Sequence, residues 1–288
     1  MSADRRQAIA ALLFGASAIG FAPVLVRYSD TGPAAAAFWR FLFALPWLFV
    51  LLRATERTGL ARPAPAMLWG GVFLATDFAF WHYGIKLTSV ANATVLSNLD
   101  PLVVTAVAWL VFRERPRALF LLGMAVAIGG VALMAAAAKS GQGTNPPLGD
   151  LFSAVTAVFY AGYFIMVGRA RRFASAVQVI TWATLAGLPL LLLFAVGLGE
   201  QIAPTTALGW AACAALGVVH VAGQGSITWA LGRLPASTAS VTVLIQPVVA
   251  AALGWLVFAE VVTPLQALGA AAALAGVVLA QRASAKPA

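Results

Sequence analysis

Charged residues are scarce in this sequence: they make up 9% of its 288 residues, whereas a soluble domain carries about 25%. Hydrophobic residues make up 62%, and the mean hydropathy is +0.93. The 18 basic and 9 acidic side chains cannot cover the surface of a chain this long in water. This composition argues against a soluble enzyme, a nucleic-acid-binding domain and a disordered chain, and it predicts an integral membrane protein.

Cysteine and histidine are scarcer still. The single cysteine, Cys213, excludes a disulfide framework and any Cys-x-x-Cys metal or redox site. The two histidines, His82 and His220, stand far apart without clustered acids, so we expect no metal site and no cofactor. The apolar segments also lack the Gly-x-Ser-x-Gly, His-Glu-x-x-His and Asp-x-x-Asp patterns, which argues against a membrane-embedded enzyme.

Long apolar runs dominate what is present. Because a bilayer core about 30 Å thick needs roughly 20 apolar residues per helix, charges, prolines and glycines divide the chain into ten candidate spans. The longest polar connections are 53–66 and 139–147, so we expect no soluble domain. The expected spans are 8–26, 34–52, 67–86, 91–112, 118–138, 148–168, 175–198, 207–231, 236–258 and 265–281.

Most basic residues fall between alternate spans, which predicts an orientation. If the first residues face the cytoplasm, fourteen of the 18 basic side chains lie on that side. Arg27, Lys86 and Lys139 lie on the other side, and Arg40 lies within the second span. We therefore expect two cytoplasmic termini, and we assign the pI of about 10.8 to contacts with anionic lipid rather than nucleic acid. The fourteen are Arg5, Arg6, Arg53, Arg57, Arg62, Arg113, Arg115, Arg117, Arg169, Arg171, Arg172, Arg233, Arg282 and Lys286.

The chain contains an internal repeat. A shift of 146 residues produces 18 identities between residues 91 and 133 without a gap. The same shift superimposes Pro101 on Pro247 and aligns two copies of Trp-Leu-Val-Phe-x-Glu, at 109–114 and 255–260. The second half of the chain is therefore a copy of the first.

The repeat predicts the architecture. A shift of 143 residues also pairs Trp39 with Trp182, so we expect two five-helix halves, residues 1–140 and 145–288, that form one membrane unit. Because five is odd, the second half enters the membrane from the opposite side. The expected fold class is all-α, with ten transmembrane helices as two inverted five-helix repeats, an arrangement typical of secondary transporters.

Specific motifs resemble those of the drug/metabolite transporter superfamily. Residues 38–42, Phe-Trp-Arg-Phe-Leu, are similar to its aromatic-Arg-Phe element, and 91–133 is similar to its proline-containing helix followed by a glycine-rich one. The second copy, 236–279, matches as well. The resemblance covers nearly the whole chain and fits the ten-helix exporter branch, which includes bacterial aromatic amino acid exporters. It implies a proton-driven or facilitative carrier of small organic molecules, with its site between the two halves.

Charged residues inside the spans are the first candidates for that site, because each costs about 2.5–3.5 kcal/mol on insertion scales. Asp77 lies halfway along the third span, Asp100 near the middle of the fourth and Arg40 in the second. One carboxylate can accept a proton or bind a substrate ammonium. Alternatively, Arg40 neutralises Asp77 or Asp100 in a structural pair.

The two histidines carry a similar pair of alternatives. His220 is central in the eighth span, and His82 stands near the outer end of the third. A histidine in the membrane can relay protons, since its ordinary pKa lies near 6.5. It can equally form a neutral hydrogen bond between helices.

Prolines and aromatic residues suggest where a cavity lies. Pro101 and Pro247 occupy equivalent places in two spans. Each is expected to bend its helix, and bent helices in matching positions of two halves point to a binding cavity or its gates. Aromatic walls suit aromatic or flat cationic solutes. The candidate substrate-binding residues are Tyr160, Tyr163, Trp229, His220, Asn98 and Gln246.

A small-residue pattern, Gly123-x-x-x-Ala127, repeats as Gly269 and Ala273. It predicts close packing of the fifth span on the tenth, with dimerisation as the alternative. Monomer and dimer are therefore both open.

We therefore expect a secondary transporter of the bacterial inner membrane. It is expected to export small organic solutes by alternating access, with neutral or aromatic amino acids as the first candidates. The alternatives are a multidrug or other metabolite carrier of the same superfamily and, in a different class, a membrane-embedded enzyme. The expected partners are a small-molecule substrate and the lipid bilayer, with no nucleic acid.

Overall fold

A computed structural model describes residues 3–57, 59–88, 96–111, 113, 115–137, 144–258 and 263–283. Every regular element in these residues is helical. The elements are α1 (Ala3–Ile19), α2 (Ala22–Tyr28), α3 (Pro33–Thr55), α4 (Pro65–Leu87), α5 (Asp100–Leu110), α6 (Ala118–Ala136), α7 (Pro146–Ala170), α8 (Ala176–Gly197), α9 (Ala207–Val219), a π-helical turn (His220–Gln224), α10 (Gly225–Ala230), α11 (Ala236–Val243), α12 (Gln246–Phe258) and α13 (Pro264–Ala283).

These elements fall into ten consecutive segments, as the sequence predicts. We number them spans 1 to 10: α1 with α2, α3, α4, α5, α6, α7, α8, α9 to α10 with the π turn, α11 with α12, and α13. In the part of the chain that the structure describes, seven helices are long and apolar enough to cross a bilayer, and Asp100–Leu110 and Ala118–Met134 are shorter apolar helices. The all-helical membrane fold is therefore confirmed.

The two equivalent prolines begin helices. Pro101 lies in the first turn of α5, after a turn at 98–99, and Pro247 lies in the first turn of α12, after the turn at Leu244 and Ile245. The missing N–H of proline has no cost in a first turn, where the amide has no partner within the helix. Span 9 is thus interrupted near its middle, whereas the sequence alone suggested bent but continuous helices.

Spans 5 and 10 pack through glycine and alanine. A Cβ added at Gly123 would stand 2.5 Å from the Ala280 nitrogen, and one at Gly130 would stand 2.4 Å from the Ala273 nitrogen. The predicted close packing of these spans is therefore present. Because contacts later in α6 are made with residues earlier in α13, the two helices are antiparallel.

The contacts between spans repeat when the two halves are exchanged. Span 3 packs on spans 6 and 7, and its equivalent, span 8, packs on spans 1 and 2. Spans 2 and 7, 4 and 9, and 5 and 10 pack against their own equivalents. Since spans 5 and 10 are antiparallel, the two halves form an inverted repeat about a pseudo-twofold axis in the membrane plane.

Two tryptophans show this symmetry in detail. The indole nitrogen of Trp39 donates to the Ile202 carbonyl at 2.7 Å, and that of Trp182 donates to the Ala61 carbonyl at 2.8 Å. Each indole therefore binds the loop that follows the second span of the other half. Aligning these two tryptophans by sequence identifies a reciprocal contact between the halves.

Both described ends of the chain lie on one side of the membrane, where the Arg5 guanidinium donates to the Gln281 carbonyl at 3.0 Å. We call this the basic side, because the described parts of the loops after spans 2, 4, 6 and 8 lie there and contain arginines. Loops 29–32 and 198–206 lie on the opposite side. Glu114, Lys139, Glu260 and Lys286 fall outside the described residues.

Candidate functional site

Arg40 lies near the middle of α3, and only 6% of its surface is exposed. Its guanidinium carbon stands 4.6 Å from the centre of the Phe78 ring, a cation–π contact with span 3. Its Nε and Nη2 atoms have no hydrogen-bond partner among the described residues. A buried cation with free donors is costly unless a ligand or another charge compensates it.

Asp77 and Asp100 are two further buried charged side chains of the same region. Both side chains are buried, Asp77 on α4 and Asp100 at the start of α5. Asp77 interacts electrostatically with Arg40, and Asp100 interacts electrostatically with Asp77. Among the described residues, no Arg40 nitrogen comes within 4.0 Å of a carboxylate oxygen. The structure thus brings the three charges together without a direct ion pair, and the Oδ2 atom of Asp100 has no hydrogen-bond partner among the described residues.

Two tyrosines of span 6 border the charges. The rings of Tyr160 and Tyr163 stack with centres 5.9 Å apart and an angle of 8° between their planes. Tyr160 interacts electrostatically with Asp100 and makes a hydrogen bond with the side chain of Gln246, the residue that begins α12. The interrupted ends of spans 4 and 9 therefore meet span 6 at the same place.

Span 8 supplies the other polar groups. His220 and Gln224 begin and end the π-helical turn, and neither side chain has any exposed surface. The Tyr163 hydroxyl donates to Gln224 Oε1 at 3.0 Å and stands 3.2 Å from the Thr228 hydroxyl. His220 Nε2 stands 3.0 Å from the Thr184 hydroxyl of span 7.

We define the central cluster by these buried or half-buried polar residues from spans 2, 3, 4, 6, 7, 8 and 9, which both halves contribute. It is positioned where a carrier with inverted repeats binds its substrate. Its members are Arg40, Asp77, Asp100, Tyr160, Tyr163, Thr184, His220, Gln224, Thr228 and Gln246.

Three predicted site residues are not members of the central cluster. Trp229 lies near the basic end of span 8, with the Arg233 guanidinium carbon 3.6 Å from its ring centre. His82 Nδ1 donates to the Phe78 carbonyl at 2.6 Å, one turn earlier on the same helix. Asn98 lies half-buried in the turn before α5.

A largely apolar cavity of about 440 Å³ lies on the basic side between spans 1, 2, 7 and 8. Trp229 lines it together with Leu48, Ile180 and Gly225. Ile180 also joins it to the central cluster, because its carbonyl accepts the Thr184 hydroxyl at 2.8 Å.

On the opposite side, Glu200 closes the gap between the halves. Its carboxylate accepts hydrogen bonds from the amides of Ala34 at 3.2 Å and Ala35 at 2.9 Å, which begin α3. The Tyr83 hydroxyl of span 3 donates to the same carboxylate. Glu200 therefore caps one helix and ties spans 2, 3 and 7 together.

Asp30 makes a second connection on that side. Its carboxylate accepts hydrogen bonds from the hydroxyls and amides of Thr205 and Thr206, at 2.7–3.2 Å. The hydrogen bond from the Thr206 hydroxyl contributes most to lowering the pKa of Asp30 below its ordinary value of 3.8. A lowered pKa means that the folded loop favours the ionised carboxylate.

Sequence reasoning missed Gln224, Thr184, Thr228 and Glu200. The first three are single polar residues in apolar helices, a signal that resembles ordinary helix packing. Glu200 lies in a loop, where an acid is expected, and only the fold shows that it caps a helix 165 residues away. Among the described residues, no group of three His, Cys, Asp or Glu side chains is arranged to hold a metal.

The fold and the central cluster define the class of this protein: a multi-pass membrane carrier built from two inverted repeats. The EamA-like transporter family model matches the chain twice, over residues 6–136 and 147–281. The chain therefore belongs to the EamA-like transporter family, and its resemblance to the drug/metabolite transporter superfamily is confirmed.

Several known proteins are similar to the chain. The pseudopaline exporter CntI of Pseudomonas aeruginosa is 28% identical over 239 residues, 81% of each chain. A probable terminal-alkyne amino-acid exporter of Streptantibioticus cattleyicolor is 32% identical over 126 residues, 43% of this chain and 42% of that one. A solved crystal structure of another protein, 20% identical, has a TM-score of 0.80 and covers 98% of this chain and 99% of its own. That structure supports the fold alone.

Proposed function

We propose that the protein is a secondary transporter that exports small zwitterionic solutes, neutral or aromatic amino acids first, by alternating access between its two halves. The transport class follows from the family. The substrate class and the direction are supported by the chemistry of the central cluster and by two relatives that are named as exporters, one of them of an amino acid.

The buried Arg40 guanidinium carries the proposal. Its Nε and Nη2 atoms need hydrogen-bond acceptors, and the described residues supply none. A carboxylate can bind a guanidinium through two parallel hydrogen bonds, and every amino acid has one. A substrate carboxylate on Arg40 would satisfy these donors and neutralise the charge at once.

The two aspartates supply the opposite charge. Asp77 lies near Arg40, and Asp100 lies near Asp77. An α-amino acid holds its ammonium next to its carboxylate, so an ammonium beside Asp77 fits a carboxylate on Arg40. The second carboxylate, Asp100, is then available to carry a proton.

We place the basic side in the cytoplasm of a bacterial cell, in the inner membrane. Arginines follow spans 2, 4, 6 and 8 on that side, and Arg282 lies in the last turn of span 10, as the positive-inside rule requires. In this orientation Glu200 and Asp30 close the route to the outside, and the 440 Å³ cavity faces the cytoplasm.

Counterflow in liposomes tests the proposal. Wild-type protein is expected to exchange labelled for unlabelled tyrosine and to exchange tyramine, which lacks the carboxylate, at least about tenfold more slowly. Arg40→Gln should lose most tyrosine exchange while tyramine exchange falls less, because only tyrosine uses the guanidinium. The rate of tyrosine exchange by Arg40→Lys, which keeps the charge but not the planar donors, should lie between that of the wild type and that of Arg40→Gln.

Other outcomes identify the alternatives. Preference for tyramine over tyrosine in the wild type would favour a carrier of cationic drugs. Consumption of the solute would indicate an enzyme, and flux without stimulation by solute on the other side would indicate a channel.

A further inference from the structure

The π-helical turn at His220–Gln224 interrupts span 8 at the central cluster. Such turns hold one extra residue and occur often at functional sites. The wider turn places residues four apart nearly above one another, so His220 and Gln224 share one face of the helix. Both side chains have no exposed surface, and each retains a nitrogen without a hydrogen-bond partner among the described residues, Nδ1 of His220 and Nε2 of Gln224.

A chain of hydrogen bonds fixes which nitrogen of His220 bears the proton. The Thr184 hydroxyl has a single hydrogen, and it donates this hydrogen to the Ile180 carbonyl at 2.8 Å. Towards His220 Nε2, 3.0 Å away, the hydroxyl can therefore only accept. The neutral ring then carries its hydrogen on Nε2, and Nδ1 is a bare acceptor.

Gln224 offers the complementary group. Its Oε1 atom accepts the Tyr163 hydroxyl at 3.0 Å, so its two free hydrogens lie on Nε2. Span 8 thus presents one buried acceptor and one buried donor group on a single face. A group buried without its hydrogen bond carries a penalty that a matching ligand removes.

We infer that this pair is the subsite for the substrate side chain and that it selects side chains with an N–H or O–H donor. The inference rests on the proposed function, in which Arg40 and Asp77 bind the amino-acid backbone groups. A phenol or a carboxamide fits best, because each can donate to His220 Nδ1 and accept from Gln224 Nε2. Thr184 is a positioning residue that acts through the tautomer of His220.

The position of the pair supports this assignment. His220 interacts electrostatically with Arg40, and its ring lies 4.6 Å from the ring of Phe41. Tyr163 joins Gln224 to the stacked Tyr160. A substrate held at Arg40 therefore has the His220 and Gln224 face on one side and aromatic rings beside it, which suits a polar side chain on an aromatic or flat body.

Nitrogen NMR of protein labelled with ¹⁵N-histidine tests the tautomer directly, with His220→Asn identifying the signals of His220. We expect a protonated Nε2 and a bare Nδ1, and we expect tyrosine, but not phenylalanine, to shift the Nδ1 signal at saturation. In Thr184→Val both neutral tautomers of His220 should be populated, and in Thr184→Ser the hydrogen should stay on Nε2. A proton on Nδ1, or an Nδ1 signal that bound tyrosine leaves unchanged, would overturn the inference.

Counterflow measures the selectivity. Tyrosine should exchange at least about tenfold better than phenylalanine, and glutamine better than leucine by a similar factor. In His220→Leu the ratio of tyrosine to phenylalanine exchange should come close to one, because the KM for tyrosine rises. The melting temperature of this variant in detergent should stay close to that of the wild type, which shows that it is folded. Equal exchange of all four amino acids would overturn this inference and leave the proposed function standing; exchange of none would overturn both.

Discussion

At the scale of single residues, Asp100 separates two interpretations of the buried charges. Its Oδ2 atom has no hydrogen-bond partner among the described residues, and Arg40 makes no direct ion pair with it. A carboxylate kept for structure alone would be expected to have both oxygens engaged. The geometry therefore favours a carboxylate that exchanges a proton or contacts a ligand.

The matching prediction concerns Asp100→Asn. We expect the variant to keep its melting temperature within a few degrees and to exchange substrate at equal concentrations, because the amide preserves shape and polarity. Uptake driven by a pH gradient should be lost, since the amide does not titrate. Loss of folded protein that Arg40→Gln restores would instead show that Asp100 neutralises Arg40.

Asp30 gives a prediction for pH. Hydrogen bonds hold its folded pKa below 3.8, so its contribution to stability is present above the unfolded value of about 3.9 and is lost as the pH falls through the lower, folded value. The melting-temperature difference between wild type and Asp30→Ala should stay constant from pH 8 to 5 and shrink below about pH 4. A difference that already disappears near pH 6 would contradict this assignment.

Residues such as these limit what the sequence alone can predict. Asp77, Asp100 and Arg40 stand out because charge in an apolar run is costly. Gln224 and Thr184 do not stand out, because their role depends on which atom of a neighbouring side chain is already engaged. That information exists only after the chain has folded.

At the scale of helices, spans 5 and 10 depend on the absence of side chains at their contact. A Cβ at Gly130 would stand 2.4 Å from a backbone nitrogen of α13, whereas a Cβ at Gly129 would meet nothing within 4 Å. Gly130, at the contact, can therefore be tested against its neighbour Gly129, which lies outside the contact on the same helix.

We expect Gly130→Ala to destabilise the protein by about 1–3 kcal/mol, the usual cost of overpacking. Gly129→Ala should be neutral or slightly stabilising, because alanine favours the helix. Melting in detergent, followed by gel filtration, measures both. Equal effects of the two changes would mean that α6 and α13 are not in backbone contact.

The helices also show where hydropathy succeeds and fails. It finds the ten segments because the bilayer imposes their length and composition. It does not find the break at Leu244 and Ile245 or the π turn, because these alter the register of backbone hydrogen bonds while the composition stays apolar. The proline of α12 marks the first of these places, whereas no single residue marks the second.

At the scale of the whole molecule, the sidedness of the loops can be tested with thiols. Cys213 is fully buried, so the wild type should react little with an impermeant maleimide. A cysteine at Asn145, exposed on the opposite side, should be labelled in intact cells, and one at Arg172 on the basic side only after lysis. The reverse pattern would invert the proposed orientation.

The reciprocal tryptophan contacts make the order of synthesis matter. The Ala61 carbonyl, which accepts from Trp182, is synthesised before that tryptophan. The Ile202 carbonyl, which accepts from Trp39, is synthesised after it. At about 5–20 residues per second, the first half spends on the order of ten seconds in the membrane without this partner, and the amides of Ala34 and Ala35 wait equally for Glu200. The first half therefore lacks these contacts until the second half has been synthesised. During this interval we expect membrane proteases and chaperones to recognise the first half.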